Sequence, residues 1–363
     1  MLVLRTDGLN RIAAPSEFLL SLLADNSATN TIKARASDVA LWWRWCVDHT
    51  ANAAPAPIEP MRATAAELTT FVLRLQTTPK KHPLTTPIRV MPGDKRARSS
   101  RTIARIVDSI KQFYLWAARC HGMIPDATAR QMLNFKTPRV TDVATVDRLQ
   151  PSLVRRVLAI PKGTRERFLL ELLYGTGIRE GEALGLRLED IHLSADDAAI
   201  FNCSFPGGAH LHVVRRRNPN GATAKSLYSR IVPLTPQAVS YYRAWMAERY
   251  DRFEDRDDSA YVFVSIKGPE AGSAWCVSSM LSWWRRTIQT QPGLEHVTPH
   301  VLRHTYTSEL QDAGVAAMTV SELLGHRSFK STQTYTHAQA STMAAAGTAL
   351  LSWRQERHLV TTQ

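Results

Sequence analysis

The stretch YGTGIREGEALGLRLEDI, residues 174–191, combines a glycine turn with the start of a short helix. Gly175 and Gly177 permit a tight turn, because glycine adopts backbone conformations that strain other residues. Arg179 then opens the helix, and Glu182 follows one turn later, where the two side chains can pair. This spacing is also typical of an ordinary surface arginine–glutamate pair, so its meaning depends on the rest of the chain.

A second segment, TPHVLRHTYTSEL at residues 298–310, predicts a helix with His300 and Arg303 on one face of its first turn. The N-terminal end of a helix is the positive end of its dipole, so both side chains are well placed to hold a phosphate. His300 and His304 are four residues apart, as zinc ligands are in HExxH helices, but no glutamate follows the first histidine. We therefore predict no metal site in this segment and a core position for His304.

A third segment, SELLGHRSFKSTQTYTH at residues 321–337, predicts a helix that ends at Gly325 and a later short helix that carries Tyr335. The glycine cap would place His326 on the following turn. A tyrosine on a short helix is most often a packing residue, so this segment gains its meaning only together with the other two.

Together the three segments supply the groups that phosphoryl transfer needs. Guanidinium groups bind the non-bridging oxygens of a phosphate in pairs and neutralise the charge of a pentacoordinate phosphorus. Imidazoles donate hydrogen bonds or move the attacking proton. A tyrosine hydroxyl is a competent nucleophile once it lies in line with the leaving oxygen.

In this ordered set the sequence resembles the tyrosine recombinase (phage integrase) family. The family's GTGxRxxE, HxxR, LLGH and TxxYxH patterns all match, in this order, between about Leu149 and Gln339. The resemblance implies a catalytic set at Arg179, with Glu182 as its acidic companion, and at His300, Arg303, His326 and Tyr335.

The family also uses a lysine on a β-hairpin between the first two motifs. In NPNGATAKSLYSRIVPL, residues 218–234, Lys225 precedes an Arg-x-Val-Pro-Leu strand and resembles that lysine. A flexible lysine is suited to protonating the leaving 5′ oxygen, although a simple phosphate contact is the alternative. The preceding segment is longer and more basic than the family's compact hairpin, and its arginines are either DNA contacts or an exposed basic edge.

The resemblance implies a mainly α fold with a small antiparallel β-sheet in the catalytic domain, arranged as a two-domain DNA clamp. We predict a helical DNA-binding domain at residues 1–135, a linker at 136–150 and a catalytic domain at 151–340. Residues 341–363 predict a tail helix that either docks on a neighbouring protomer or folds back on its own domain. Helical spacing in the first domain covers Glu17–Ala24, Thr31–His49, Ala65–Gln76 and Arg101–His121. Strand-like patterns cover Ile191–Val214 and Arg230–Leu234.

The resemblance also implies the reaction. Tyr335 attacks the scissile phosphate, which gives a 3′-phosphotyrosine and a free 5′ hydroxyl, with no cofactor, ATP or metal. The expected partner is a specific double-stranded recombination site, held by four protomers on two duplexes. Two alternatives stay open, a type IB topoisomerase and a non-catalytic DNA-binding regulator on the same fold. Integration or transposition of a mobile element is the favoured role, with chromosome-dimer resolution as an alternative.

Composition agrees with a polyanionic partner. The chain has 363 residues, a formal charge of +13 and 44% hydrophobic residues, which is typical of a globular, basic protein. A long basic loop at residues 77–100 either follows DNA phosphates or is simply solvated. The DNA-binding candidates are Lys80, Lys81, Lys95, Arg96, Arg98, Arg215, Arg216, Arg217 and Arg230.

The four cysteines, Cys46, Cys120, Cys203 and Cys276, are scattered and form no CxxC pair. They predict reduced thiols rather than a disulfide framework or a zinc site. No segment of about 20 apolar residues is present, and the N-terminus has charged residues where a signal peptide needs an apolar run. We therefore expect no membrane partner and a location in the bacterial cytoplasm or nucleoid.

Overall fold

The computed structural model describes most of the chain as two compact units, Met1–Thr145 and Val146–Gln363. The described residues are 12–25, 27, 29–48, 58–80, 82–84, 89–91, 94, 96–120, 123–140, 148–194, 203, 205, 208–224, 229–254, 257–325 and 337–357, with no side-chain description for residues 29, 48 and 337–341. The division between the units falls within the predicted linker. Among the described helices, none combines the length and the apolar character needed to cross a bilayer.

The first unit is helical in its described residues. Its elements are α1 (Ala13–Ala24), α2 (Thr29–Asp48), a 3₁₀ turn (Pro60–Arg62), α3 (Ala65–Thr77), α4 (Ser100–Arg119) and α5 (Asp126–Asn134). Ser99 caps α4 by accepting a hydrogen bond from the Thr102 amide. Buried aromatic side chains fill the centre, where the Trp42 indole donates to the Tyr114 hydroxyl (3.1 Å) and packs edge-on against Phe71. The four predicted helices are confirmed, whereas α5 was not predicted.

The second unit has a larger helical set around a small sheet. Its elements are α6 (Pro151–Ala159), α7 (Thr164–Thr176), α8 (Glu180–Ala183), a 3₁₀ turn (Leu188–Asp190), β1 (Ile191–His192), β2 (His210–Val213), β3 (Arg230–Pro233), α9 (Pro236–Phe253), α10 (Val277–Thr287), α11 (Pro299–Asp312), α12 (Ala317–Leu324) and α13 (His337–Glu356). Helix α7 is buried along almost its whole length and packs between α9 and α11. The predicted fold class, mainly α with a small antiparallel sheet, is confirmed.

The sheet is antiparallel with the strand order β1–β2–β3. Strand β2 is central: Leu211 pairs with Ile191 on one side and with Val232 on the other. Because side chains alternate along a strand, Leu211, Val213 and Val232 are all buried in the main core of this unit. Arg230 begins β3 opposite Val213, which brings a charged side chain to the edge of that core.

The C-terminal helix α13 folds back on its own domain. Met343, Ala346 and Leu350 are buried against residues of α11 and α12, including Tyr306 and Leu323. The helix begins at His337, so the predicted start of the tail at residue 341 lies inside it. In the single chain the helix therefore packs on its own domain, and docking on a neighbouring protomer stays a prediction.

A buried ion pair anchors the end of α13. Arg354 is 1% exposed, and its guanidinium donates two hydrogen bonds to Glu309 (2.7 and 3.0 Å) and one to the Tyr174 carbonyl (3.1 Å). The same guanidinium lies 3.9 Å from the centre of the Tyr174 ring. Tyr174 lies in the last turn of α7, five residues before Arg179, so the C-terminal helix contacts the segment that leads into Arg179.

We expect Arg354→Ala to destabilise the second unit, because Glu309 would be left buried without a counter-charge. Breaking a buried ion pair in this way costs about 3–5 kcal/mol. Scanning calorimetry of the full chain should show the transition at a lower temperature. Arg357→Ala removes an exposed arginine from the same helix end and should change stability by less than about 0.5 kcal/mol. Equal transitions for the two variants would contradict the anchoring role.

Candidate active site

A buried carboxylate joins two of the arginines. Glu182 on α8 accepts hydrogen bonds from the Arg179 guanidinium (2.9 Å) and from the Arg179 backbone amide (3.0 Å). Its two oxygens also accept a bidentate pair from Arg230 on β3 (2.7 and 3.2 Å). Burial alone would raise the pKa of Glu182, but the hydrogen bonds and charges of Arg230 and Arg179 hold that pKa below its usual value. Glu182 is therefore a fixed anion that positions both arginines.

Arg303 is a buried cation without an ion pair among the described residues. It is 3% exposed, and its guanidinium donates to the carbonyls of Gly177 and Leu324 (2.7 Å each). Burial and the nearby charge of Arg179 lower the pKa of Arg303 to about 9, so the group stays protonated at neutral pH. An anion bound beside it would relieve that uncompensated charge.

The C-terminal end of α12 is held by these arginines. The last carbonyls of a helix have no partner within the helix, and its C-terminus is the negative end of the dipole. Here the Leu323 carbonyl accepts from Arg230 (2.7 Å) and the Leu324 carbonyl from Arg303. Gly325 then ends the helix in the left-handed conformation (φ 64°), which confirms the predicted glycine cap.

Two glycines allow close packing around Arg179. Gly177 caps α7 with φ 63°, and a Cβ at this position would overlap the ring of Tyr306. Gly181 follows Arg179 on α8, and a Cβ there would lie 2.8 Å from the carbonyl oxygen of Thr223. The backbone leading towards residue 225 therefore lies directly against the short helix that carries Glu182.

His300 lies one turn before Arg303 on α11 and is exposed. Partial desolvation of its ring and the nearby His304 and Arg303 lower the pKa of His300, which favours the neutral ring that can donate or accept a proton. His304 was predicted as a core residue. It is half-buried and packs edge-on against His300, with ring centres 4.3 Å apart.

The structure thus brings together Arg179, Glu182, His300 and Arg303. The other predicted catalytic residues, Lys225, His326 and Tyr335, lie outside the described residues. So do Lys81 and Lys95 of the predicted DNA contacts.

Arg230 corrects one of our predictions. It was a DNA-binding candidate, but it is 3% exposed and its donors are directed to Glu182 and to the Leu323 carbonyl. A guanidinium engaged in this way is not an exposed phosphate contact. Its position instead identifies it as a bridge between the motif at Glu182 and the end of α12.

The other predicted DNA contacts within the described residues differ in their exposure to solvent and in the pairs that they form. Arg216 is paired with Asp190 (2.6 and 2.9 Å) and with Glu189 (3.0 Å), which leaves it little capacity for phosphate. Arg96 is exposed but paired with Asp94 (2.7 Å). Lys80, Arg215 and Arg217 are exposed, and the half-buried Arg98 donates to the Thr78 carbonyl (3.0 Å) and to the Lys80 carbonyl (3.4 Å).

Comparison with known proteins agrees with this geometry. The model of the phage integrase family matches residues 147–342, more than half of the chain. The chain belongs to the phage integrase family of tyrosine recombinases. It is accordingly a site-specific recombinase by family, and the Arg179–Glu182 and His300–Arg303 pairs lie in the matched region.

Relatives and solved structures extend the likeness beyond that region. Tyrosine recombinase XerD of Lacticaseibacillus casei is 26% identical over 247 residues, 68% of this chain and 74% of the relative. XerD of Bifidobacterium longum is 25% identical over 347 residues, 93% and 96% of the two chains. The integrase of transposon Tn1549, solved in complex with a circular intermediate DNA, shares the fold with a TM-score of 0.58 at 16% identity, covering 90% of this chain and 98% of that one.

We expect Gly177→Ala to destabilise the site, because the new methyl group would meet the Tyr306 ring in a strained left-handed backbone. The backbone term alone costs roughly 1–2 kcal/mol. Gly221→Ala is the matched control, since Gly221 also has a positive φ (78°) but nothing within 4 Å of its Cβ position. Thermal unfolding should show a larger loss for Gly177→Ala than for Gly221→Ala.

A double variant separates the two causes. Tyr306→Ala creates a cavity, but it also removes the ring that the new methyl group meets. The cost of Gly177→Ala should therefore be smaller in the Tyr306→Ala background than in the natural chain. Additive costs would show that the close packing of these two residues is unimportant.

Proposed function

We propose that this protein cuts and rejoins DNA at specific sites through a 3′-phosphotyrosine bond to Tyr335. The balance of charge around Glu182 carries this proposal. Three guanidinium groups, those of Arg179, Arg230 and Arg303, lie near the buried carboxylate of Glu182, which pairs with two of them. The half-buried Glu180 is also close, so positive charge is still in excess. The surplus positive charge suits a phosphodiester, whose negative charge grows as a fifth oxygen attacks the phosphorus.

The three arginines have different roles in this proposal. Arg179 has 23% of its side chain exposed and can turn a nitrogen to a bound phosphate while Glu182 holds it. Arg303 is oriented by two carbonyls and contributes charge at short range. Arg230 acts through Glu182 and Leu323 and is a positioning residue rather than a phosphate ligand.

The proton transfers fall to the lysine and the histidines. Thr223, two residues before Lys225, lies against Gly181 of α8, which supports a position of the lysine near Arg179. In the first step the Tyr335 oxygen bonds to phosphorus, its proton passes to a base, and the bond to the 5′ oxygen breaks as Lys225 protonates that oxygen. A 5′ hydroxyl of a partner strand then reverses the step and releases the tyrosine.

We further propose that four protomers act on two duplexes and that the DNA belongs to a mobile element. The fold shared with a transposon integrase supports this role. The XerD relatives favour chromosome-dimer resolution as a second candidate. Sequencing the DNA that flanks the gene separates the two, because terminal repeats or neighbouring recombination genes would favour the mobile element.

Tyr335→Phe should bind the recombination site but form no covalent adduct, since it lacks the attacking oxygen. Incubation with a nicked suicide substrate, followed by denaturing electrophoresis, measures the adduct. Tyr306→Phe is the matched control: Tyr306 is buried and burial raises its pKa to about 12, so its loss should leave the adduct in place. A covalent band that persists in Tyr335→Phe would refute the assignment.

Lys225→Ala should cleave normal DNA slowly but cleave a substrate with a bridging 5′ sulfur at close to the natural rate. A 5′ alkoxide needs a proton to leave, whereas a thiolate, whose conjugate acid has a pKa of about 8.5, leaves unassisted. Arg179→Ala should stay slow on both substrates, because its role is to stabilise charge on the non-bridging oxygens. If sulfur does not rescue Lys225→Ala, the lysine is a phosphate contact and His300 becomes the next candidate acid.

A further inference from the structure

Four potential metal ligands converge at the end of the sheet that lies away from Arg230. They are His192 of β1, His210 and His212 of β2, and Cys203 from the connection between these strands. The Cys203 sulfur lies 3.4 Å from Nε2 of His210 and 3.4 Å from Nε2 of His212. Nδ1 of His192 lies 3.1 Å from Nε2 of His210, and all four ligand atoms are within 4.8 Å of one another.

These separations fit a tetrahedral zinc ion. Bonds of about 2.0–2.1 Å to nitrogen and about 2.3 Å to sulfur place neighbouring ligand atoms roughly 3.3–3.6 Å apart. The three short separations in the cluster are close to these values. Three imidazoles and one thiolate are also a ligand set that zinc prefers over harder cations such as magnesium or calcium.

The outer hydrogen bonds of two histidines place the unprotonated nitrogens of the two rings next to each other. Nδ1 of His210 lies 2.8 Å from the Gly208 carbonyl, and Nε2 of His192 lies 3.2 Å from the Glu189 carbonyl. A carbonyl only accepts, so in each neutral ring the proton is on the outer nitrogen. The facing nitrogens, 3.1 Å apart, are then both acceptors. Two acceptors at this distance repel each other unless a cation lies between them.

The burial of these histidines argues against a chance cluster of solvent-exposed side chains. His192 and His210 are 2% and 1% exposed, and the Phe205 ring packs against His210 with ring centres 4.6 Å apart. Metal-binding histidines usually donate their other ring nitrogen to a carbonyl or a carboxylate, which fixes the ring as it is fixed here.

We propose that His192, Cys203, His210 and His212 bind one zinc ion with a structural role. Four protein ligands close the coordination sphere, so no position is left for a substrate or an activated water. The Cys203 thiol would release its proton to solvent on binding. This proposal revises our expectation that Cys203 is a simple reduced thiol and that the chain holds no metal.

The site would stabilise the sheet that carries Arg230. Strand β1 has only two residues, and His192 pairs directly with His210 in its short ladder with β2. Strand β2 pairs in turn with β3, where Val213 is opposite Arg230. A metal that joins β1, β2 and their connection therefore fixes the strand next to the one from which Arg230 reaches Glu182.

Elemental analysis of the purified full-length protein tests the site, with zinc ion itself as the probe. After zinc loading and dialysis we expect about one zinc per chain in the natural protein and in the control Cys276→Ser, whose thiol is outside the cluster. Cys203→Ser should lose most of that zinc under the same dialysis. Natural protein without zinc, or equal zinc in Cys203→Ser and Cys276→Ser, overturns the proposal.

Cobalt substitution and stability provide a second readout. Cobalt(II) in the natural protein should show a thiolate-to-metal charge-transfer band and the visible spectrum of a tetrahedral site, and Cys203→Ser should lose that band. EDTA should lower the melting temperature of the natural protein but have little effect on His212→Gln. If Cys203→Ser fails to fold, the cobalt spectrum of the natural protein decides, and an octahedral spectrum without a thiolate band overturns the site.

Discussion

The buried carboxylate of Glu182 is the constraint on which the arrangement of the catalytic unit depends. An isolated carboxylate in a protein interior is costly, and Glu182 stays ionised only because Arg179 and Arg230 supply charge and donors. Glu182 in turn holds each of the two arginines in one orientation. Since Arg230 comes from β3 and Arg179 from the start of α8, one carboxylate fixes a strand and a helix relative to each other.

Backbone carbonyls extend this arrangement to the other two motifs. Arg303 donates to Gly177, which follows α7, and to Leu324, at the end of α12. Three segments that are distant in sequence are therefore joined through one side chain. Because Arg303 pairs with carbonyls and with no carboxylate of the described residues, part of the positive charge stays uncompensated. A phosphate-binding site requires this property, since an anion binds more strongly to an uncompensated cation than to a neutralised ion pair.

The sequence alone predicted which residues meet in this centre better than it predicted the groups to which each of them hydrogen-bonds. The turn at Gly177, the cap at Gly325 and the spacing of His300 and Arg303 follow from local rules and were predicted, whereas Gly175 lies within α7 and not in the turn. Arg230 was named among the DNA-binding candidates, but it is buried. Its spacing of two from the buried Val232 was the signal that it faces inward. Helix α5 was missed because only Ala129 and Met132 of its nine residues are buried, too few to show a period.

The cluster at His192 also could not be predicted from local sequence patterns. Its ligands occupy positions 192, 203, 210 and 212, and no short motif connects them, because the strand pairing of β1 with β2 creates their proximity. Only His210 and His212 are two apart, as neighbours on one face of a strand must be. A metal at this end of the sheet is compatible with the metal-free reaction that we propose for the centre at the other end. In the proposed reaction the arginines would neutralise a charge that appears only as the phosphate is attacked. In the sheet, a permanent cation would offset the repulsion between lone pairs that the fold brings together.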